Sequence, residues 1–295
     1  MAPYASSRHT GLVHHHETFP DLLIHDNTEL AAALGAAVVS REAVHAWPLS
    51  ATEELRLADG RRYAYKAQLK PSVEAAVYAA VEDPLLPAQI DLGRHGTTRH
   101  MVTQWVDAPS LHTMELDESE FVGHARAVVA RISAMAPEAP VFLDLSTGST
   151  IAHAADVTAG RLNALIHSGQ FVRLDANVPD RLRSWSREPQ LVRRATEHTA
   201  FIHGDLSTEE VFVAEDGYHV IDWQRPILGT SELDLVSLLR HRGIDPLRYV
   251  DPEVVQLSWF LLLHWAGLVQ TEVLPGLDPV LPESWAVEAV ARIFG

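Results

Sequence analysis

The alternation of apolar and polar positions predicts a sheet early in the chain and helices after it. Residues 36–45, 54–57 and 62–68 read as strands, the last two joined across the turn Ala58-Asp59-Gly60. Residues 89–95 and 100–104 add two more strands, joined by Gly96-Thr97-Thr98. Ahead of them, residues 27–34 have a polar start and a glycine stop at Gly35, the mark of a short helix. From residue 118 the period is helical. Phe121, Ala125, Val128, Val129 and Ile132 fall on one face of a helix over 118–135, which Ala136-Pro137 and Ala139-Pro140 break. Further helices are expected over 158–167, over 178–198 as one long element, from 234 to 248, over 254–269 and over 282–294.

Between residues 200 and 235 short apolar runs alternate with acids. Ala200-Phe201-Ile202 delivers His203-Gly204-Asp205. A loop follows, then Val211-Phe212-Val213, the turn Glu215-Asp216-Gly217, and a second strand over 218–221 that ends on Asp222. Asp-Gly between two apolar runs is a hairpin signal. An acid before the first strand and another after the second bring two carboxylates to one end of such a hairpin. Two carboxylates at one point repel each other unless a cation stands between them. A divalent metal, often carrying phosphate, is the usual solution.

His203-Gly204-Asp205-Leu206, the loop and hairpin, Ile221-Asp222-Trp223 and the downstream Gly229-Thr230-Ser231-Glu232-Leu233-Asp234-Leu235 come in a specific order and spacing. Together they resemble the aminoglycoside phosphotransferase and choline kinase-like family. The resemblance implies an α+β, bilobal protein-kinase-like fold, with a small antiparallel-sheet N-lobe and a larger, mainly helical C-lobe. It divides the chain into a flexible tail over 1–20, which holds His14-His15-His16, a nucleotide-binding N-lobe over 21–105, and a C-lobe over 106–295 with the catalytic loop and acceptor-binding helices.

The same resemblance implies residue roles. Asp205 is the catalytic base, His203 braces its loop, Asp222 is a magnesium ligand and Asp234 a structural acid. Lys66 in a strand, followed by Glu74 at a helix start, resembles the kinase ion pair in which the lysine neutralises the nucleotide phosphates and the glutamate holds its ammonium. Gln104 and Val106 match the connector whose backbone binds the purine edge. Residues 46–53 match the phosphate-covering loop but contain no glycine; Ser50 and Thr52 offer donors there. Glu210 stands fifth after Asp205, where the kinase loop H-R-D-x-x-x-x-N carries a metal-binding Asn. Two readings follow. Glu210 is a second magnesium ligand, or the chain is a pseudokinase-like nucleotide-binding or regulatory protein without transfer activity.

Charge and composition narrow the partners. The chain has 39 acidic and 23 basic residues and a formal net charge of −16. That argues against a nucleic-acid or anionic-membrane surface. It suits a cationic acceptor such as an aminoglycoside, and equally serves solubility. Zero cysteines exclude disulfides, thiol nucleophiles and cysteine-based zinc sites. The first 21 residues lack a long apolar core, and residues 254–269 carry Gln256, Ser258 and His264, so they read as a buried helix. There is no G-x-S-x-G elbow and no H-E-x-x-H helix. The expectation is a cytoplasmic monomer or homodimer that moves the γ-phosphate of ATP or GTP, with Mg2+, to a hydroxyl of a small acceptor. Within the resembled family that acceptor is an antibiotic, choline, homoserine or a sugar, so antibiotic resistance is one role among several.

Overall fold

A computed structural model describes residues 13–135 and 137–295. The chain divides into two compact units. One holds the described residues up to Ala75 together with Pro87–Asp107; the other holds Ala76–Leu86 and Ala108–Gly295.

In the first unit β1 (Val13–His15) pairs antiparallel with β2 (Leu23–His25). Residues 13–15 of the tail expected over 1–20 therefore form a paired strand. His14 stands opposite Ile24 and His15 opposite Leu23, because β2 offers this segment a strand edge to pair with. Residues 1–12 of that expected tail lie outside the described residues. Next comes α1 (Asn27–Leu34). The Asp26 carboxylate caps it by accepting from the Thr28 and Glu29 N–H groups, and Gly35 ends it at φ 74°. Then follow β3 (Val38–Trp47), β4 (Ser50–Leu57), β5 (Arg62–Gln68), α2 (Glu74–Ala80), whose residues from Ala76 on are counted in the second unit, β6 (Gln89–His95) and β7 (Thr98–Gln104). The five strands form one antiparallel sheet in the order β3-β4-β5-β7-β6. One face is apolar: Leu55, Tyr65, Ala67 and Val102 pack with Leu22, Ile24, Leu30 and Leu34 to make the core. The segment β1-β2-α1 thus covers that face. The expected loop over 46–53 shrinks to Pro48-Leu49, since β3 runs to Trp47 and β4 begins at Ser50.

The second unit begins its long elements with α3 (Glu118–Ser133), started by a capping box between Asp117 and Glu120. A short strand, β8 (Leu143–Asp144), leads to α4 (Gly148–His167). This helix starts ten residues before the expected one. Its Ser/Thr-rich beginning is not a loop but a cap, with Thr147 and Thr150 bonding reciprocally. The single helix expected over 178–198 is two, α5 (Val178–Trp185) and α6 (Pro189–Thr196). Pro189 cannot donate a helical hydrogen bond and crowds the turn before it, so one helix stops and another starts on the proline.

The remaining elements are β9 (Thr199–Ile202), β10 (Val211–Ala214), β11 (Gly217–Val220), β12 (Ile227–Thr230), α7 (Glu232–Arg242), α8 (Pro252–Leu268) and α9 (Val280–Phe294). The expected hairpin is present, with Val211 opposite Val220. β12 lies between β9, its antiparallel partner, and β8, its parallel one. Ile227 stands opposite Ile202, which sets the end of β9 against the chain that follows the hairpin. The stretch Pro252–Val273 is long and apolar enough to cross a membrane, but 72% of the window concerned is buried inside the protein. It is the core helix of this unit.

α4 and α8 are joined by a buried bond of 2.8 Å between Thr158 Oγ1 and His264 Nδ1. Burial, and then the Arg161 charge, lower the His264 pKa from 6.5 to about 4. The unfolded chain takes up a proton near pH 6.5 that the folded chain refuses until about pH 4. The stability that depends on neutral His264 is therefore complete above pH 6.5 and is lost as pH falls toward 4. We expect His264→Gln to be less stable at neutral pH, with its thermal midpoint converging on that of the wild type as pH is lowered to 4. A constant gap across that range would contradict the assignment.

Candidate active site

The strand β9 ends on His203-Gly204-Asp205, and a buried acid holds that loop from beneath. Asp234, in the first turn of α7, accepts the His203 N–H on Oδ2 at 2.9 Å and the Gly204 N–H on Oδ1 at 2.8 Å. It is only 1% exposed. Burial raises its carboxyl pKa, opposed by His203 and by these two backbone donors. Gly204 lies at φ 82°, and a Cβ there would sit 2.7 Å from the Arg225 carbonyl oxygen and 2.7 Å from Ile227 Cγ1. Only glycine fits that approach. His203 is buried; its Nε2 donates to the Ile221 carbonyl at 2.9 Å and its ring packs on Trp223 at 4.7 Å. With its ring committed to the backbone of the hairpin exit, His203 braces the loop.

The hairpin gathers the acids. The Ile221 N–H donates to the Glu210 carbonyl at 3.1 Å, so Glu210 and Asp222 flank the same end of β10 and β11. Glu210 Oε2 accepts the Ser207 N–H at 2.6 Å, and Asp222 Oδ1 accepts the Gln224 amide at 2.7 Å. Asp222 lies at φ 70°, a region that Asp enters more readily than most residues. Two carboxylates at one hairpin end are a hard-oxygen donor set, the kind magnesium takes. The donor chemistry fits that ion. The longer arm of Glu210 also turns back to cap its own loop, a role that did not emerge from the sequence.

In the first unit Lys66 Nζ meets Glu74 Oε1 at 2.7 Å, and the Gln68 amide donates to Glu74 Oε2. Alternation puts Lys66 and Gln68 on one face of β5. The pair is buried, a setting in which breaking an ion pair typically costs about 3–5 kcal/mol. Ser50 is a buried first residue of β4, and its hydroxyl accepts the Trp47 indole N–H at 2.9 Å. It locks the hairpin rather than lying in the phosphate-covering loop where it was expected. Gln104 closes β7 and its N–H donates to the Ala88 carbonyl at 2.8 Å. The Val106 N–H has no acceptor among the described residues.

A cavity of about 340 Å³ opens in the second unit, with Gly204 and Asp205 in its wall. Leu233, Ser237, Arg240 and His241, at helical spacing on α7, form one side. Ser258, Leu261, Leu262 and Trp265, at the same spacing on α8, form another. Arg225 pairs with the Asp205 carboxylate while its guanidinium lies 4.0 Å from the Trp265 ring centre.

The model of the phosphotransferase enzyme family matches residues 30–259. The chain belongs to that family. No curated protein matches this chain. Among solved structures, a thermostable mutant of the aminoglycoside phosphotransferase APH(4)-Ia is similar at 16% identity and a TM-score of 0.60, covering 92% of this chain and 100% of that one. Choline kinase LicA from Streptococcus pneumoniae is similar at 14% identity and a TM-score of 0.57, covering 90% and 97%. Spectinomycin phosphotransferase APH(9)-Ia, in complex with ADP and spectinomycin, is similar at 12% identity and a TM-score of 0.55, covering 91% and 96%. These likenesses show the kinase-like fold, with the antiparallel sheet in the first unit and most of the helices in the second.

In this phosphotransferase the first unit brings Lys66 to Glu74, and the second assembles His203, Asp205, Glu210 and Asp222. Sequence reading missed Arg225, Arg240 and Trp265. Periodicity could have found the last two, because polar residues recur on the face of α7 that starts at Leu233, and Trp265 shares a face with Ser258. Asp234→Asn should orphan one of the two backbone donors, since an amide offers one acceptor oxygen where the carboxylate offers two. We expect a loss of about 1–3 kcal/mol in urea unfolding, together with a lower kcat. Unaltered stability would mean that Asp234 does not hold the loop.

Proposed function

We propose that the protein is a small-molecule O-phosphotransferase that moves the γ-phosphate of ATP or GTP to a hydroxyl held beside Asp205. One observation carries this reading: the Asp205 carboxylate stands on an immobilised loop in the wall of a cavity of about 340 Å³. That volume lies within the range of about 300–1,000 Å³ usual for small-molecule sites. Family membership supports a nucleotide as donor.

The residues then take the following parts. The Lys66 ammonium, oriented by Glu74, meets phosphate oxygens of the donor. Asp222 and Glu210 supply carboxylates for magnesium, which when bound neutralises phosphate charge. Asp205 accepts the proton of the acceptor hydroxyl as its oxygen attacks phosphorus, a role worth roughly 10²- to 10⁴-fold. Gly204 lets the backbone come close, and Arg225, stacked on Trp265, fixes the direction of the Asp205 carboxylate. A loose transition state needs little more than such positioning and charge neutralisation.

The cavity lining bears on the acceptor. Arg225 is matched by Asp205. Arg240 has no carboxylate within 4.0 Å among the described residues; it donates to Ser258 Oγ at 3.2 Å and lies 3.6 Å from the Trp259 ring centre. Burial lowers the pKa of Arg240 and of His241, and the arginine stays charged. A guanidinium in the wall favours an anionic or neutral polyhydroxylated acceptor over the polycationic one that the acidic surface suits.

The capping bond from Ser207 to Glu210 favours a second reading, a nucleotide-binding protein of the pseudokinase kind. Asp205→Asn separates the two. On the enzyme reading, transfer to an acceptor found by screening anionic, neutral and cationic hydroxyl compounds falls at least about a hundredfold, while nucleotide affinity is kept. Arg240→Gln in the same assay raises KM for an anionic acceptor with little change in kcat. Equal turnover by Asp205→Asn and the wild type would overturn the assignment of the base.

A further inference from the structure

The first unit holds a second cluster of titratable groups, on the sheet face opposite Lys66. Tyr65, Ala67 and His100 share that face: Ala67 stands opposite His100, and Tyr65 is two residues from Ala67. His25 ends β2, His95 ends β6 and His100 lies in β7. The Leu23 N–H donates to Thr98 Oγ1 at 3.1 Å, which fastens β2 to the start of β7 and brings the three rings together. Their centroids stand 4.3, 4.8 and 5.3 Å apart. His25 Nε2 lies 3.0 Å from His95 Nδ1.

Two ring nitrogens in this cluster are buried without a hydrogen-bond partner, His25 Nδ1 and His100 Nε2. His25 is 4% exposed and His100 0%. An imidazole nitrogen buried in this way forfeits a bond that water would have given it. The other nitrogen of His100, Nδ1, lies 2.9 Å from the Tyr65 hydroxyl, which also accepts the His25 N–H at 2.9 Å. Tyr65 thereby fixes the ring with Nε2 turned away from it. When Nδ1 carries the proton and donates to Tyr65, Nε2 presents a lone pair, the arrangement that outer-shell partners impose on metal-bound histidines.

We propose that His25, His95 and His100 form a binding site for a divalent transition metal of the zinc class, with one ring nitrogen from each as ligand. One ligand nitrogen from each histidine can be chosen so that all lie within 4.8 Å of one another. A tetrahedral zinc with bonds of about 2.0–2.1 Å needs them about 3.3 Å apart, which inward rotation of the His25 and His95 rings toward His100 supplies. The donor set is all imidazole, which suits zinc, nickel or copper and not magnesium or calcium. Burial first and neighbouring charges second hold His25 near a pKa of about 4 and His100 near about 3, so both rings are neutral, the ligating form, at physiological pH. The nearby cation Arg41 is paired with Glu53. His95 is half-buried and leaves the site a path to solvent for entry and for a fourth ligand, water. A bound ion would clip the segment β1-β2-α1 to the sheet that carries Lys66. It would close the chain between residues 25 and 95.

The test is zinc titration of the metal-stripped, tag-free full chain by calorimetry, with metal content read by mass spectrometry after dialysis. We expect one zinc per chain and a rise in thermal midpoint. The bound zinc is lost in His100→Gln and in His95→Gln, and kept in a variant with His14, His15 and His16 all changed to Ala. Because His95 is half-buried, its variant is expected to fold, which circular dichroism checks. Tyr65→Phe should weaken zinc binding by roughly 10- to 100-fold. No bound zinc, zinc retained by folded His95→Gln, or zinc lost only in the His14–16 variant would each overturn the proposal.

Discussion

The site depends on a buried carboxylate that holds its loop from beneath. Asp234 is buried and accepts two consecutive backbone N–H groups, those of His203 and Gly204. Both donors sit where β9 has ended, so neither has a strand partner to satisfy it. Without Asp234 the turn would leave two donors without an acceptor, the His203 N–H buried and the Gly204 N–H part-buried, and the backbone would have to move to satisfy them. With it, the backbone that leads into Asp205 is held in place. The close approach of Gly204 to Arg225 and Ile227 fixes the same loop from the opposite chain. The result is a carboxylate, that of the proposed base Asp205, whose position comes from backbone geometry, with Arg225 setting only its orientation.

The same economy runs through the hairpin. His203 is tied to the Ile221 carbonyl, and the Ile221 N–H is tied to the Glu210 carbonyl. Loop, hairpin and acids are therefore one connected set. Glu210 deserves comparison with the asparagine that the kinase loop carries at this place. Its extra methylene lets the carboxylate reach the Ser207 N–H, so it stiffens the loop while remaining an oxygen donor at the hairpin end. A second consequence concerns charge. The chain as a whole is strongly acidic, yet the cavity beside Asp205 has arginines in its wall. Surface charge governs encounter and solubility; the lining governs what is held.

Much of this was legible in the sequence because it is local. The hairpin over Val211–Ala214 and Gly217–Val220 announced itself by Asp216-Gly217 between apolar runs. The helix α1 announced itself by its polar start and by Gly35. Lys66 and Glu74 are eight residues apart, close enough for a strand-then-helix reading to join them. Local signals also misled where two of them competed. Pro189 outweighed the apolar period over 178–198, and Thr147 with Thr150 turned a loop-like composition into a helix cap. What stayed hidden is what the sheet pairing creates. Arg225 reaches Asp205 only because β12 lies along β9. The histidine cluster joins residue 25 to residues 95 and 100 through strand order, and no spacing along the chain encodes that.

The proposed transfer needs Asp222 and Glu210 to form a working magnesium site. Calorimetric titration of ATP and of GTP, with magnesium and then with EDTA, tests this most directly. The prediction is binding of at least one nucleotide that depends on magnesium and is lost in EDTA. Binding of equal strength with and without magnesium, or no binding of either nucleotide, would contradict it.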